Sequence, residues 1–427
     1  MKLRKIVLHE GNEVLQQNEM KMIRGEETTY NCIRTQKVGD ILMLKTGYMQ
    51  RIISFFTSLV LCLSVGQAQD HIHLKYNEAS KIEVPKLSSL LSEIRYVSLE
   101  TTDECLLKSA WDVVTTEKYI VYNDADQCYV FDKSNGKYLR TIGLRKNQGP
   151  QGYAQPTSPL CIIGNEVLML DWGKNNYKVY SLDDGKFLRK IPGEEPLKNT
   201  WTFEKVYPLK DSLLIQYPLN IEGKNKYCMR IRTLSGIELK RFPSTNNAMF
   251  DSTGFFVDEY EVDTYNYGNN VYFHECTSDT IFCINDQNEL EPRYIIGMED
   301  MLPTLPEIRN NVKIEKGKFV IFGKIMESNH WLLFSKSTWT DNHYLYNKQN
   351  RRLGYIDGKV NIGFINDLNG FLPFWPSFQG YGKNQKEVCS IIQAEEYLEA
   401  VKVTGMNPIN KNLNFDDNPV IVIGTLK

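Results

Sequence analysis

The sequence predicts an all-β fold, a six-bladed β-propeller closed by pairing of its N- and C-terminal strands, with one helix inserted in the last blade. Three observations predict it. A turn motif returns at a spacing of about 50 residues, short alternating segments fill the interval between copies, and an alternating segment with no unit of its own, Ile94–Leu99, is left over ahead of the repeat region. Four short antiparallel strands per unit of this length is the spacing of a propeller blade.

The elements follow in chain order. The longest apolar stretch is Ile52–Val65, 14 residues (IISFFTSLVLCLSV). A membrane-spanning helix needs about 20 residues. Met49, Arg51, this run and the small residues Gly66 and Ala68 instead match the zones of a secretory signal over 49–68. Residues 1–48 lack apolar periodicity and read as a leader from a start codon placed too early, or as a disordered extension. Cys62 follows Leu61, where a lipoprotein signal needs a small residue, so a lipid anchor is not expected. The expected location is the periplasm or the cell surface. Residues 69–93, with His71 and His73, read as a disordered tail, and the propeller is assigned to 94–427.

The repeat is clearest in Phe131-Asp-Lys-Ser-Asn-Gly136-Lys-Tyr-Leu139-Arg140-Thr-Ile142. It matches Tyr180-Ser-Leu-Asp-Asp-Gly185-Lys-Phe-Leu188-Arg189-Lys-Ile191 at an offset of 49 residues. A third copy carries Gly236, Leu239, Lys240 and Phe242. In the fourth and fifth, Asn288 and Asn350 replace the glycine; asparagine also tolerates positive φ. A sixth unit is split. Ile362–Asn366 and Pro373–Phe378 supply its first two predicted strands and Pro419–Ile423 the third. Ile94–Leu99 comes from the other end of the chain as the outer strand. Closure of this kind removes free sheet edges. Six blades is the count, with five or seven open.

Asp126–Leu139 resembles an NHL-type repeat. Together with Leu99-Glu-Thr-Thr-Asp-Glu-Cys-Leu, Gln148-Gly-Pro-Gln-Gly-Tyr153 and the terminal Asp-Asp-Asn-Pro-Val-Ile-Val-Ile, it is similar to the Bacteroidetes six-bladed β-propeller family (NHL/TolB-like) over about 94–427. That resemblance implies an exported propeller, often lipid-anchored, and specifies no activity.

Connections between second and third strands, and between blades, open on one face of a propeller. Here they are long (Leu144–Pro159, Gly193–Thr202, Ser244–Gly254, Gly297–Lys318, Gly380–Asn418), whereas the opposite face has short turns such as Gly164-Asn165. Long connections in a compact domain tend to carry function. The last contains a helix over about Lys386–Lys402, with Val388, Ile391, Ala394, Leu398 and Val401 at helical spacing, a lid on the long-loop face or a plug at the channel end. Asp124, Asp171 and Glu275 fall just after the second strands of blades one, two and four. They could hold Ca²⁺ or a cationic ligand, or simply cap their turns. His274 with Glu275, His330 and His343 could form a base or metal site, though His274 and His330 sit in or at the start of strands, where packed histidine is the default. The cluster Phe371, Phe374, Trp375 and Phe378 could stack on sugar rings but reads as blade core. Trp172, Trp201 and Trp339 fall at or near loops, where they could form a stacking platform.

Composition narrows the function. Lys+Arg 50 against Asp+Glu 52 leaves a net charge of −2, with no basic footprint for nucleic acid. Beyond residue 68 seven cysteines remain, without C-x-x-C, so neither a disulfide framework nor a zinc site is indicated. Cys276 is expected opposite Ile281 across a turn at Ser278-Asp279. The motifs G-x-S-x-G, H-E-x-x-H and the P-loop are missing. The expectation is an exported, monomeric, non-catalytic binding protein with no cofactor required. It would recognise a protein or glycan through its long-loop face. The alternative is a metal-assisted hydrolase or lyase, in which Asp124, Asp171 and Glu275 would converge on one ion.

Overall fold

A computed structural model describes residues 71–427 apart from 125, 158, 172–175, 193–203, 211, 219–226, 244–260, 299–300, 305–319, 321, 336–341, 359–362 and 381–383. Six antiparallel sheets follow one another, each four strands deep. Blade one consists of Ala110–Thr115, Tyr119–Asp124, Cys128–Asp132 and Tyr138–Thr141. In blade two the first strand is broken into Gln155–Pro156 and Ile162–Ile163, both paired with Glu166–Leu170, and Tyr177–Ser181 and Phe187–Ile191 follow. Blade three runs Glu204–Leu209, Leu213–Pro218, Tyr227–Thr233, Glu238–Pro243. Blades four and five repeat the pattern from Val262–Tyr267 to Leu290–Ile295 and from Ile325–Glu327 to Arg352–Asp357.

The ring closes as predicted. Val420–Leu426 pairs antiparallel with Leu91–Ser98, from Val420 opposite Ser98 to Leu426 opposite Leu91, so the outermost strand of blade six comes from the N-terminal end. Burial follows the same logic. Six apolar clusters each span one blade-to-blade interface; one sets Val97, Ile421 and Ile423 of blade six against Val113, Ile120 and Phe131 of blade one. The others join blades one and two, two and three, three and four, four and five, and five and six. A strand of a blade is buried on both faces, which is why its apolar runs are nearly continuous.

The motif glycines are set by close approach. Gly136 has φ +74°, and a Cβ there would meet the Ser98 carbonyl of the preceding blade; Gly185, at φ +69°, meets the Thr141 carbonyl in the same way. Asn288 takes the positive φ in blade four as expected, but in blade five it falls on Arg351, one residue after Asn350. The motif leucines, by contrast, are not core. Leu139, Leu188 and Leu239 are exposed, each skipped in the pairing of third and fourth strands where the register shifts. Such bulges blunt an outer edge against further pairing.

Four expectations are corrected. Residues 71–90 are a strap, not a disordered tail: Ile72–His73 adds parallel to the outer strand of blade four and Ser80–Lys81 to that of blade five, and Lys86 bridges Ile365. In blade six the first two strands are Phe378–Gln379 and Glu387–Ile392. The predicted segments Ile362–Asn366 and Pro373–Phe378 instead meet in one bridge, Phe364 with Phe374, and fill the cluster between blades five and six. The helix, α1, is Ala394–Thr404; Val388 and Ile391 belong to the strand before it, since their spacing suits either structure. Tyr397 on α1 packs edge-on against Phe371 and tilted against Tyr96 of the outermost strand, so the helix seats on the outer part of blade six, neither lid nor channel plug. Finally, Ile281 pairs with His274, not Cys276, because Cys276–Asp279 form a wider turn.

Candidate functional site

Strand order decides what meets at the long-loop face. The innermost strand of every blade starts there, so residues near those starts surround the same channel mouth. Asp112 in blade one, Lys205 in blade three, Asp263 in blade four and Lys324 just before the first strand of blade five occupy such positions. They are linked around the mouth. Lys205 Nζ lies 3.4 Å from the Val262 carbonyl, the Ile325 N–H donates to Asp263 Oδ2 at 2.6 Å, and Lys324 Nζ stands 3.9 Å from Asp112 Oδ1. Lys324 also sits 3.9 Å above the Phe378 ring of blade six. Burial pushes the Asp263 carboxyl up to about 6, against the opposing pull of the Ile325 N–H and of Lys324 and Lys205.

Beside this mouth stands Trp111. Ala110 pairs with Asp124 and Asp112 with Asn123, which leaves Trp111 as the extra residue of a bulge, its side chain 53% exposed. Bulges re-aim side chains in this way. The Arg145 guanidinium covers the indole at 4.9 Å and donates to the Asp124 carbonyl at 3.2 Å. Leu106 and Leu144, both exposed, lie on connections of the same face. The arrangement offers an aromatic surface, a fixed cation and an alternating set of charges: the means to recognise a ligand.

The carboxylates singled out in the sequence are each engaged separately. Asp124 is buried; its Oδ1 accepts the Asp126 and Gln127 N–H groups at 2.7 and 2.9 Å, and its Oδ2 accepts Lys108 N–H at 2.9 Å. Asp171 meets Lys190 at 2.8 Å and Lys178 at 3.4 Å. Lys178 in turn donates to the Gly152 carbonyl at 2.5 Å, pinning the Gln148–Tyr153 loop. Glu275 accepts from Tyr217 OH at 3.1 Å, and burial, then the nearby Glu261, raises its pKa. Among the described residues no group of three or more His, Cys, Asp or Glu side chains is placed to hold a metal ion. Trp172, Trp201 and Trp339 lie outside the described residues.

His274 is buried, with Nε2 3.0 Å from the Ser278 carbonyl, and desolvation lowers its pKa to about 4. His343 stacks on Trp375 at 4.1 Å. The seven described cysteines are free thiols, and burial raises Cys128, Cys161 and Cys389 far from the thiolate range that reactivity requires. Sequence reasoning missed Trp111 and the charged mouth. The available signal was a charged residue near the start of the first strand in four of the six units; the bulge that frees Trp111 leaves no such trace.

Several solved structures are similar to this chain. A candidate exported protein from Bacteroides fragilis NCTC 9343 is 16% identical, with 83% of this chain and 99% of that one covered and a TM-score of 0.56. A member of the DUF4221 family from Bacteroides vulgatus is 12% identical, covering 79% and 97%, at a TM-score of 0.45. A streptogramin B lyase is 11% identical, covering 78% and 98%, at 0.36. No curated protein matches the chain. None of the described helices is long and apolar enough to cross a membrane. The family model described as DUF4934, a domain of unknown function, matches residues 71–425, and the chain belongs to that family.

Proposed function

We propose that this chain is an exported, non-catalytic binding propeller that recognises a protein or glycan through its long-loop face. The observation that carries the reading is Trp111, turned outward by a bulge at the channel mouth and held by Arg145. A tryptophan with one face fixed and its rim open can stack on a sugar ring or an aromatic side chain at small entropic cost. The signal-like segment 49–68 and the likeness to a candidate exported protein support export. The turn motif at 131–142 supports grouping the blades with NHL-type repeats.

The test is a glycan array, run beside a pull-down from the envelope fraction of the source cells, each with wild type and Trp111→Ala. A ligand retained by wild type and weakened at least tenfold by the substitution supports the reading. Ligands held equally by both proteins, or none in either format, contradict it.

A further inference from the structure

The opposite end of the channel carries a second feature. Described residues at the first-to-second-strand turns of blades one, two, three, four and six line a cavity of about 870 Å³ on the short-turn face. This is the size range of small-molecule sites. We propose that it binds a neutral, hydroxyl-rich small molecule, a mono- or oligosaccharide, independently of the long-loop face.

The lining makes the case. Val114, Ile162 and Val271 supply apolar wall, of the kind on which the C–H face of a sugar ring rests. Its charged members balance in sign, Glu117 and Asp183 against Lys118 and Lys210. Two of them are already engaged: Asp183 accepts from Tyr119 OH at 2.6 Å and Asn165 Nδ2 at 2.7 Å, and Lys210 pairs with Asp286 at 2.7 Å. An ionic ligand therefore finds no excess of opposite charge.

Amide heads remain. Asn266 is positioned firmly, because Gln379 accepts its backbone N–H at 3.1 Å and donates to its carbonyl at 2.8 Å. Its own side-chain amide has no hydrogen bond among the described residues, and neither has that of Asn384. Gln385 Nε2 donates to Asn269 Oδ1 at 3.1 Å, which leaves Asn269 Nδ2 as donor and Gln385 Oε1 as acceptor. Amides donate and accept in equal measure, as hydroxyl groups do. These groups come from several blades around an axis, a geometry suited to a compact polyol and poorly suited to an extended peptide.

Saturation-transfer NMR on the intact mature chain tests the proposal, with maltose, cellobiose, lactose and mannobiose as probes and tetraglycine as the peptide control. At least one disaccharide should show transfer. Asn266→Leu should weaken it at least tenfold, and Glu395→Ala, on the exposed side of helix α1, should leave it unchanged. Transfer to tetraglycine alone, to no probe at millimolar concentration, or to a disaccharide equally in Asn266→Leu and wild type overturns the proposal. Loss with Trp111→Ala but not with Asn266→Leu would overturn it as well, while supporting the long-loop reading.

Discussion

Gly136 sits so close to Ser98 that a Cβ on it would lie 1.9 Å from the Ser98 carbonyl oxygen, and its own carbonyl accepts the Glu100 N–H at 2.9 Å. The third-to-fourth turn of blade one thus presses on the strand that closes the ring. Gly136→Ala must adopt φ +74° and push blade six away, costs that together come to about 3 kcal/mol. Gly164, at φ +58° with nothing within 4 Å of a Cβ, is the control; its alanine variant should lose only about 1 kcal/mol. Denaturant titration of the two variants checks the difference, and equal losses would refute the account of the motif glycine.

Asp263 makes a pH prediction. Its folded pKa of about 6 lies above the ordinary 3.8, so the native state holds this proton more tightly than the unfolded chain does. Between pH 4 and 6 the folded form binds more protons, and this group's contribution falls as pH rises, reaching a penalty on the order of 3 kcal/mol above pH 6. Asp263→Asn removes the titration and can still accept from Ile325 N–H. Its stability relative to wild type should rise across that window and then level off. A difference flat from pH 4 to 8 would refute it.

Asp124 should prove to be scaffold. Alanine leaves three backbone N–H groups without their acceptor, at a cost of about 3 kcal/mol, and asparagine should recover part of it. Thermal melts of the two variants, with and without millimolar Ca²⁺, are the check. Full stability in Asp124→Ala, or a melting temperature that Ca²⁺ raises in wild type alone, would return this carboxylate to a ligand role.

Lys178 tests how the long-loop face is held. Nearly buried, it bridges Asp171 and the Gly152 carbonyl, and Lys178→Met keeps its bulk but not its charge. Proteolysis should then cut first within 144–157. An unchanged cleavage pattern would show that the lysine does not hold the loop.

What could be read from the sequence was whatever repeats or alternates over several residues. Ile94–Leu99 alternates, Pro419–Ile423 is a short continuous apolar run, and the two pair. The strap could not be read because its strands, Ile72–His73 and Ser80–Lys81, are two residues each, too short for any period. Blade six was misassigned because Phe364 and Phe374 are buried in a linker cluster, which looks apolar in sequence just as a strand does. Leu139, Leu188 and Leu239 repeat faithfully yet face water, since a bulge shifts the register by one residue and turns the motif leucine outward. The candidate site eluded the same reading for the same reason, Trp111 being a bulged residue.

Hydrogen–deuterium exchange of the peptides covering 91–98 and 420–426 is the most direct test of the ring. If the two segments pair over their length, their amides should exchange slowly and together, with protection matching the central strands of blades one to five. Rapid exchange of either segment while those blades stay protected would mean that the circle is open, and that no common channel mouth exists for a ligand to approach.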